Sequence, residues 1–330
     1  MYTDEDIASA IAAGILTEET AGAFRAHVAK LKSGPAVDEE HFRLVTGFND
    51  IFVVIACLLL LASVAWIGAA LAPWVGAVAV SIFAWALAEF FTRRRRMALP
   101  AIVLLLAFVG GVLATGVLFL GKEPESVVVA SALAAVAAWL HWLRFHVPIT
   151  VASGAAAAVG CVVALLISAV PAARHWTTAI SLIAGIAVFA LAMRWDATDT
   201  ARQTRRSDVA FWLHLLAAPL LVHPVFASLG VFDGRTTLGQ AVVVVVLYVA
   251  IALISLCIDR RALMVSALIY VLYTFSALLK LYGVVSLSFA ITALVIGSAL
   301  LLLSAFWHPS RAFVLGFFPL AMKTRLAPLR

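Results

Sequence analysis

Charged residues are scarce in this sequence, and their scarcity excludes the commonest class of protein. They make up 12% of the 330 residues, whereas hydrophobic residues make up 65%. An ordinary soluble domain is about a quarter charged and about half apolar. Together with a mean hydropathy of +1.10, the composition indicates an integral membrane protein.

Sequence motifs that carry chemistry are also missing. The cysteines Cys57, Cys161 and Cys257 lie in apolar segments and form no CxxC pair or Cys/His cluster, which argues against a disulfide framework or a metal site. No P-loop, HExxH or GxSxG motif occurs, and no pair of carboxylates lies in the middle of an apolar segment. We therefore expect neither enzymatic activity nor a cofactor.

Long apolar runs dominate what is present. Because a bilayer core of about 30 Å is crossed by about 20 helical residues, the runs predict an all-α, polytopic transmembrane helical bundle of about ten spans. Pro73 and Gly283 are the natural turns inside runs that are too long for a single helix. The predicted spans are 51–71, 74–92, 97–120, 126–143, 149–170, 176–193, 209–231, 238–258, 263–282 and 286–307.

Basic residues give the bundle an orientation. With the N-terminus inside, the cytoplasmic segments contain 19 lysines and arginines, and the outer loops contain 3, namely Lys122, Arg174 and Arg235. Since basic residues favour the cytoplasmic side, both termini are predicted to lie in the cytoplasm. The predicted location is the bacterial inner (cytoplasmic) membrane, with the lipid bilayer as partner. The net charge of +6 is then explained by topology, and no binding to nucleic acid is expected.

The spans divide the chain into three regions. Residues 1–47 are predicted to form a cytoplasmic N-terminal helical segment, residues 48–310 the transmembrane bundle, and residues 311–330 a cytoplasmic basic tail. Within the tail, the apolar segment 312–322 is too short to span a bilayer and is predicted to be interfacial or re-entrant.

The N-terminal segment is predicted to contain two short helices. Gly14 suits the end of the first, and Thr17 suits the start of the second. Two helices of this length cannot bury a core alone, so we expect them to pack on the inner face of the bundle or on a cytoplasmic protein partner. A DNA-binding helix-turn-helix is disfavoured because residues 1–22 are net acidic.

Several polar residues near the span boundaries have a structural explanation. Glu89 lies one helical turn before Arg93, a spacing that favours an ion pair. Asp259 lies in a loop beside two arginines, and His141 lies close to the inner boundary of its span. The loop 196–208 is polar and rich in arginine, and it is interpreted as a solvated connector.

The span 263–282 is predicted to carry one polar face. Ser266, Tyr270, Tyr273 and Lys280 recur at helical spacing, so they share a face that is too polar for lipid and should point into the bundle or into a water-filled cavity. Lys280 could bind an anionic group there. The alternative, that its long side chain reaches the outer interface, is slightly favoured.

The span 209–231 carries the second candidate site. Pro219 and Pro224 each remove a backbone donor, which predicts a kinked or broken helix. His214 and His223 are nine residues apart, about half a turn out of phase, so only a broken helix could direct both to one ligand. Broken helices bind substrate in transporters, and histidine can carry protons. The alternative is that each histidine is hydrogen-bonded to a neighbouring helix.

The phrase AIAAGILTEETAGAF at residues 10–24 resembles the N-terminal segment of uncharacterised bacterial polytopic membrane proteins in domain-of-unknown-function families. Those proteins carry a Gly-Ile-Leu/Ile-Ser/Thr-x-Glu-x-Ala phrase in a short cytoplasmic helical segment that precedes a series of spans. The residues that carry the resemblance are Gly14, Ile15, Leu16, Thr17, Glu19, Thr20 and Ala21. The resemblance implies a membrane protein with a cytoplasmic N-terminal segment, and it implies no substrate.

Two functions remain in view. The favoured one is a transporter or channel for a small solute or lipid-like molecule, which predicts a cavity bordered by both the His214/His223 helix and the Tyr270/Tyr273/Lys280 face. The alternative is a non-transporting scaffold or sensor whose N-terminal helices contact a cytoplasmic partner. The sequence leaves open whether the chain forms a homo-oligomer.

Overall fold

The computed structural model describes residues 4–24, 48–200, 202, 204–230, 237–281, 288–318 and 326. Within these ranges the regular structure is helical, and no strand occurs. The chain divides into two compact units, residues 1–42 and 43–330.

The N-terminal unit has the two predicted helical pieces. Helix α1 (Asp4–Ala12) is followed by a turn at Gly14, whose φ of +70° places it in the left-handed region that glycine adopts without strain. Residues 18–24 are helical again, and the Thr17 hydroxyl accepts a hydrogen bond from the Thr20 N–H at 3.2 Å, as a helix N-cap does. The predicted end at Gly14 and start at Thr17 are confirmed.

Eight helices of the described residues are long and apolar enough to cross a membrane. They are α2 (Phe48–Ala69), α3 (Pro73–Ala88), α4 (Ala98–Leu120), α5 (Pro124–Phe145), α6 (Ile149–Ala169), α7 (Thr177–Ala197), α8 (Arg205–Ser228) and α9 (Leu238–Ile258). Helix α3 continues through a π-helical turn at Glu89–Arg94, and a 3₁₀ segment at Pro171–Trp176 precedes α7. Pro73 begins α3 as predicted, because its fixed φ suits the first turn of a helix.

Three further helices complete the described chain: α10 (Ala262–Leu281), α11 (Ser288–Ala305) and α12 (Trp307–Gly316). The predicted turn at Gly283 lies outside the described residues. The paths of Leu294–Leu303 and Trp307–Gly316 are bent by 70° relative to each other, so α12 leaves the direction of α11 before the predicted interfacial segment 312–322 begins. The described spans number eight, or nine if this bent pair counts as one.

Helix α8 joins two groups of helices. Helices α2 to α6 pack mainly on their neighbours in sequence, and α8 packs on α6, α7 and α10. Its first half contacts Ala152 of α6 and Val188 of α7, and its second half contacts Val244 of α9 and Ala267 of α10. In the apolar stretch of α8, 50% of the residues are buried, which is a larger share than in any other of the eight spans. The protein is therefore an all-α, multi-pass membrane bundle.

Candidate functional site

Helix ends bring a buried histidine and an aspartate together. Asp196 lies in the last turn of α7, and His214 lies on α8 with no exposed surface. Their side chains meet at 2.8 Å between Asp196 Oδ2 and His214 Nε2. Helices α7 and α9 end, and helices α8 and α10 begin, at the same end of the bundle. We call this the basic end.

Arg260 binds the same carboxylate from the α9–α10 link. Its Nη2 donates to Asp196 Oδ1 at 2.6 Å, and Nη2 also lies 3.1 Å from the Ser207 carbonyl oxygen. The Arg260 side chain is 2% exposed. One guanidinium group therefore ties the end of α7 to the start of α8.

Asp259 organises a second set of contacts in the same region. Its φ of +57° is a left-handed conformation that aspartate tolerates. Its Oδ2 accepts from Arg202 Nη1 at 2.8 Å, and its Oδ1 accepts from the Trp307 indole N–H at 2.8 Å. Arg311 Nη1 lies 3.7 Å from the same carboxylate. Three distant segments of the chain thus meet at one side chain.

These residues form a buried set of ion pairs. We define the ion-pair cluster as two carboxylates and three guanidinium groups, namely Asp196, Asp259, Arg202, Arg260 and Arg311. Burying an ion costs several kcal/mol unless a partner neutralises it. The pairing at 2.6–2.8 Å supplies that compensation for the two carboxylates.

The electrostatics of Asp259 reflect this pairing. Burial opposes ionisation, but the charge of Arg202, the Trp307 N–H and the charge of Arg311 outweigh that effect. The pKa of the Asp259 carboxyl is consequently held below its usual value.

The structure corrects two interpretations of this region. The loop 196–208 is not simply a solvated connector, because Asp199 and Arg202 are each only 8% exposed. Asp199 Oδ2 accepts hydrogen bonds from the Thr204 N–H at 2.9 Å and from the Thr204 hydroxyl at 2.7 Å.

Asp259 does pair with an arginine, but its shortest ion pair is to Arg202, 57 positions away, rather than to its sequence neighbours. Distant pairing of this kind leaves no spacing signal in the sequence.

The two predicted polar helices do meet, at a second place. His223 Nδ1 of α8 and Tyr270 Oη of α10 are 2.7 Å apart. Helix α8 runs without a break from Arg205 to Ser228, so of the predicted kink or break the break does not occur, and the kink stays a prediction. His214 and His223 bind different neighbours, as expected for a straight helix.

The His223–Tyr270 pair lies within the two helices and away from the basic end. His223 is 18 residues beyond Arg205, where α8 begins, and Tyr270 is eight beyond Ala262, where α10 begins. At about 1.5 Å per residue these counts correspond to about 27 Å along α8 and about 12 Å along α10. His223 is nonetheless an exposed residue.

Two neighbours on α10 extend this polar surface. Tyr273 is 39% exposed and Ser266 is half-buried. We call Ser266, Tyr270 and Tyr273 of α10 together with His223 of α8 the polar strip. Lys280 belongs to α10, but its side chain lies outside the described residues, so its predicted anion contact stays a prediction.

Glu89 and His141, two polar residues near the span boundaries, each contact another polar side chain. Glu89 pairs with Arg93 at 3.4 Å, as predicted, but Arg144 of α5 binds it more closely, through Nε at 2.7 Å and Nη2 at 3.0 Å. His141 is fully buried, and its Nδ1 lies 3.3 Å from the Thr150 hydroxyl.

Two cavities are relevant to binding. One, of about 520 Å³, is an open groove on α2, α3 and α4, lined by small and apolar side chains such as Ala65 and Gly110. The other, of about 290 Å³, lies where α7 ends and α8 begins. Neither is lined by His223 or Tyr270. In the described part of the chain, no group of three His, Cys, Asp or Glu residues is placed to hold a metal ion.

Comparison of the chain with protein-family models, with curated proteins and with solved structures finds no match.

Proposed function

We propose that this protein is a transporter or channel for a small solute or lipid-like molecule in the bacterial inner membrane, with the polar strip bordering its pathway. The observation that carries the proposal is the exposed His223, which is hydrogen-bonded to Tyr270 within two apolar helices. A polar side chain that faces lipid is costly, so such residues usually line a hydrated or substrate-bearing route.

Unsatisfied hydroxyl groups beside the strip support the same proposal. Thr274 lies one turn beyond Tyr270 and is 1% exposed, and its hydroxyl has no hydrogen-bond partner among the described residues. The same holds for the buried Tyr248 hydroxyl of α9, which packs against the Tyr270 cluster. Buried polar groups are rarely left unsatisfied, so these hydroxyls suit contact with water held inside the bundle.

The ion-pair cluster suits the closure of such a pathway at the basic end. It links the α7–α8 loop, the α9–α10 link and α12. Ion pairs between separate segments can be broken and exchanged without loss of the helices themselves, which makes them suitable for a two-state element.

Cysteine labelling tests the pathway without knowledge of the substrate. In a variant whose three cysteines are replaced by alanine, single substitutions His223→Cys and Tyr273→Cys would be treated with a membrane-impermeant methanethiosulfonate reagent. The reagent reacts with the thiolate, which forms in water and not in lipid. We expect both positions to be modified in intact proteoliposomes.

Val249→Cys is the control. Val249 is 51% exposed and lies near the middle of the apolar helix α9, so it should remain unmodified in lipid. If His223→Cys and Tyr273→Cys are as unreactive as Val249→Cys, the polar strip borders no hydrated route and the transport proposal fails.

A second candidate function, a scaffold or sensor, is favoured by one observation. Residues 1–42 form a compact unit of their own, in which Ile15 is 77% exposed. A compact unit with its own internal contacts can bind a partner as one body. If this function is right, deletion of residues 1–47 should abolish co-purification of a specific partner protein and leave cysteine labelling of the polar strip unchanged. If the same proteins co-purify with the shortened chain, the scaffold or sensor function is contradicted.

A further inference from the structure

A concave pocket with two arginines lies at the basic end, outside the ion-pair cluster. It measures about 290 Å³ and is lined by Leu191, Arg194, Trp195, Thr198 and Arg206. We propose that it binds the phosphate headgroup of an anionic phospholipid in the leaflet at the basic end.

The two arginines of the pocket differ from those of the ion-pair cluster. Arg202 and Arg260 are buried and bonded to carboxylates. Arg194 and Arg206 line the pocket, and within the described residues neither forms an ion pair with a carboxylate. Two unneutralised guanidinium groups in one concave surface produce a positive potential that attracts an anion, and arginine binds phosphate oxygens with two parallel N–H donors.

The position of Arg206 strengthens the need for an anion. It lies in the first turn of α8, whose N-cap is Thr204, and the Thr204 hydroxyl accepts from the Arg206 N–H at 3.3 Å. The helix macrodipole places partial positive charge at this end, which disfavours a cationic side chain and favours a bound anion. A phosphate in the pocket would neutralise the two arginine side chains and add to the negative charge that Asp208 brings to the first turn of α8.

The apolar part of the pocket favours a lipid over a soluble anion. Leu191 lies one turn deeper in α7 than Arg194 and is 37% exposed, so the pocket extends from the charged helix end into the apolar level of the bundle. Trp195 adds an aromatic ring of the kind enriched at membrane interfaces. A phospholipid presents a phosphate and an acyl chain in this same order, and basic pockets at helix ends are known lipid sites.

Native mass spectrometry of the full-length protein in detergent can measure this binding. The probes are dioleoyl phosphatidylglycerol, dioleoyl phosphatidylcholine and inorganic phosphate, each titrated separately. One basic residue near an anionic headgroup changes the affinity about fivefold. The double variant Arg194→Gln, Arg206→Gln should therefore bind phosphatidylglycerol about 25-fold more weakly than the wild type. The control pair Arg94→Gln with Arg95→Gln removes the same charge from another exposed turn at the same end and should leave the affinity unchanged.

Thermal unfolding separates lost binding from lost folding. Arg206→Gln alone removes a cation from a helix N-terminus, so without lipid its unfolding temperature should equal or exceed that of the wild type. With phosphatidylglycerol, its stabilisation should be smaller than that of the wild type. Equal binding of phosphatidylcholine, undiminished binding by the double variant, or inorganic phosphate binding as tightly as the lipid would each overturn the proposal.

Discussion

At the residue scale, Asp259 joins three separate segments of the described chain. Its carboxylate holds Arg202 from the α7–α8 loop and Trp307 from α12, and its backbone oxygen accepts from Arg202 Nη2 at 2.9 Å. Because the side chain is only 9% exposed, water cannot substitute fully for these partners.

The substitution Asp259→Asn tests the charge of this residue with little change of shape. Asparagine tolerates the same left-handed backbone conformation and still accepts from Trp307, but it leaves the Arg202 charge unpaired. We expect a loss of about 3–5 kcal/mol in the free energy of unfolding at neutral pH, measured by denaturant titration in detergent. Glu123→Gln, at an exposed position, is the control and should have almost no effect.

The same variant tests the acid dependence of stability. The folded-state pKa of Asp259 lies below its ordinary value of 3.8, so this carboxylate stabilises the folded state fully above that pH. Its contribution is lost as the pH falls below 3.8 and through the lower folded-state pKa. The stability difference between wild type and Asp259→Asn should therefore shrink at acid pH, and a constant difference would contradict the assignment.

Residue-scale contacts could be predicted from the sequence only where they were local. The pair of Glu89 and Arg93 was predictable because four positions make one helical turn. The bonds of Glu89 to Arg144 and of Asp259 to Arg202 join positions 55 and 57 apart. Such partners are brought together by helix packing, which no spacing in a single sequence encodes.

At the element scale, the apolar runs predicted the helices well, because hydropathy and helix length are fixed by the bilayer. The behaviour of α8 was predicted less well. Pro219 is exposed and Pro224 is buried, yet both lie within one continuous helix. Prolines in membrane helices are tolerated because neighbouring groups and small local adjustments satisfy the freed carbonyl oxygens, so the sequence alone could not distinguish a bend from a break.

The contact between α7 and α8 depends on the absence of a side chain at Gly185. A Cβ atom there would lie 2.8 Å from the Leu220 carbonyl carbon, too close for two packed helices. Gly185→Ala should therefore destabilise the protein by about 1–3 kcal/mol, as overpacking does, and lower its unfolding temperature in detergent.

Gly110→Ala is the matched control for this substitution. Gly110 also lies inside a helix, but an added Cβ would meet no atom within 4 Å. Alanine is the better helix former by about 1 kcal/mol, so this variant should be as stable as the wild type or slightly more stable. Equal effects of the two substitutions would show that the α7–α8 contact is looser than the structure indicates.

At the scale of the whole molecule, the orientation is still a prediction from the basic residues. Fusion of alkaline phosphatase after residue 122 or 174 should give activity, because these loops are predicted to lie outside, where the enzyme folds. Fusion of a green fluorescent protein after residue 146 or 202 should give fluorescence, because those links are predicted to be cytoplasmic. A reversed pattern at any of the four positions would disprove the N-inside topology.

The late position of α12 in the chain has a consequence for biosynthesis. Trp307 follows Asp259 by 48 positions, so the Asp259 carboxylate is made well before the indole and Arg311 that help to neutralise it. Before α12 is made, the carboxylate can already pair with Arg202, but its other oxygen lacks the indole N–H and depends on water instead. A chain interrupted before Trp307 would keep water at this end, and the lower stability would expose it to the cellular proteases that remove incompletely folded proteins.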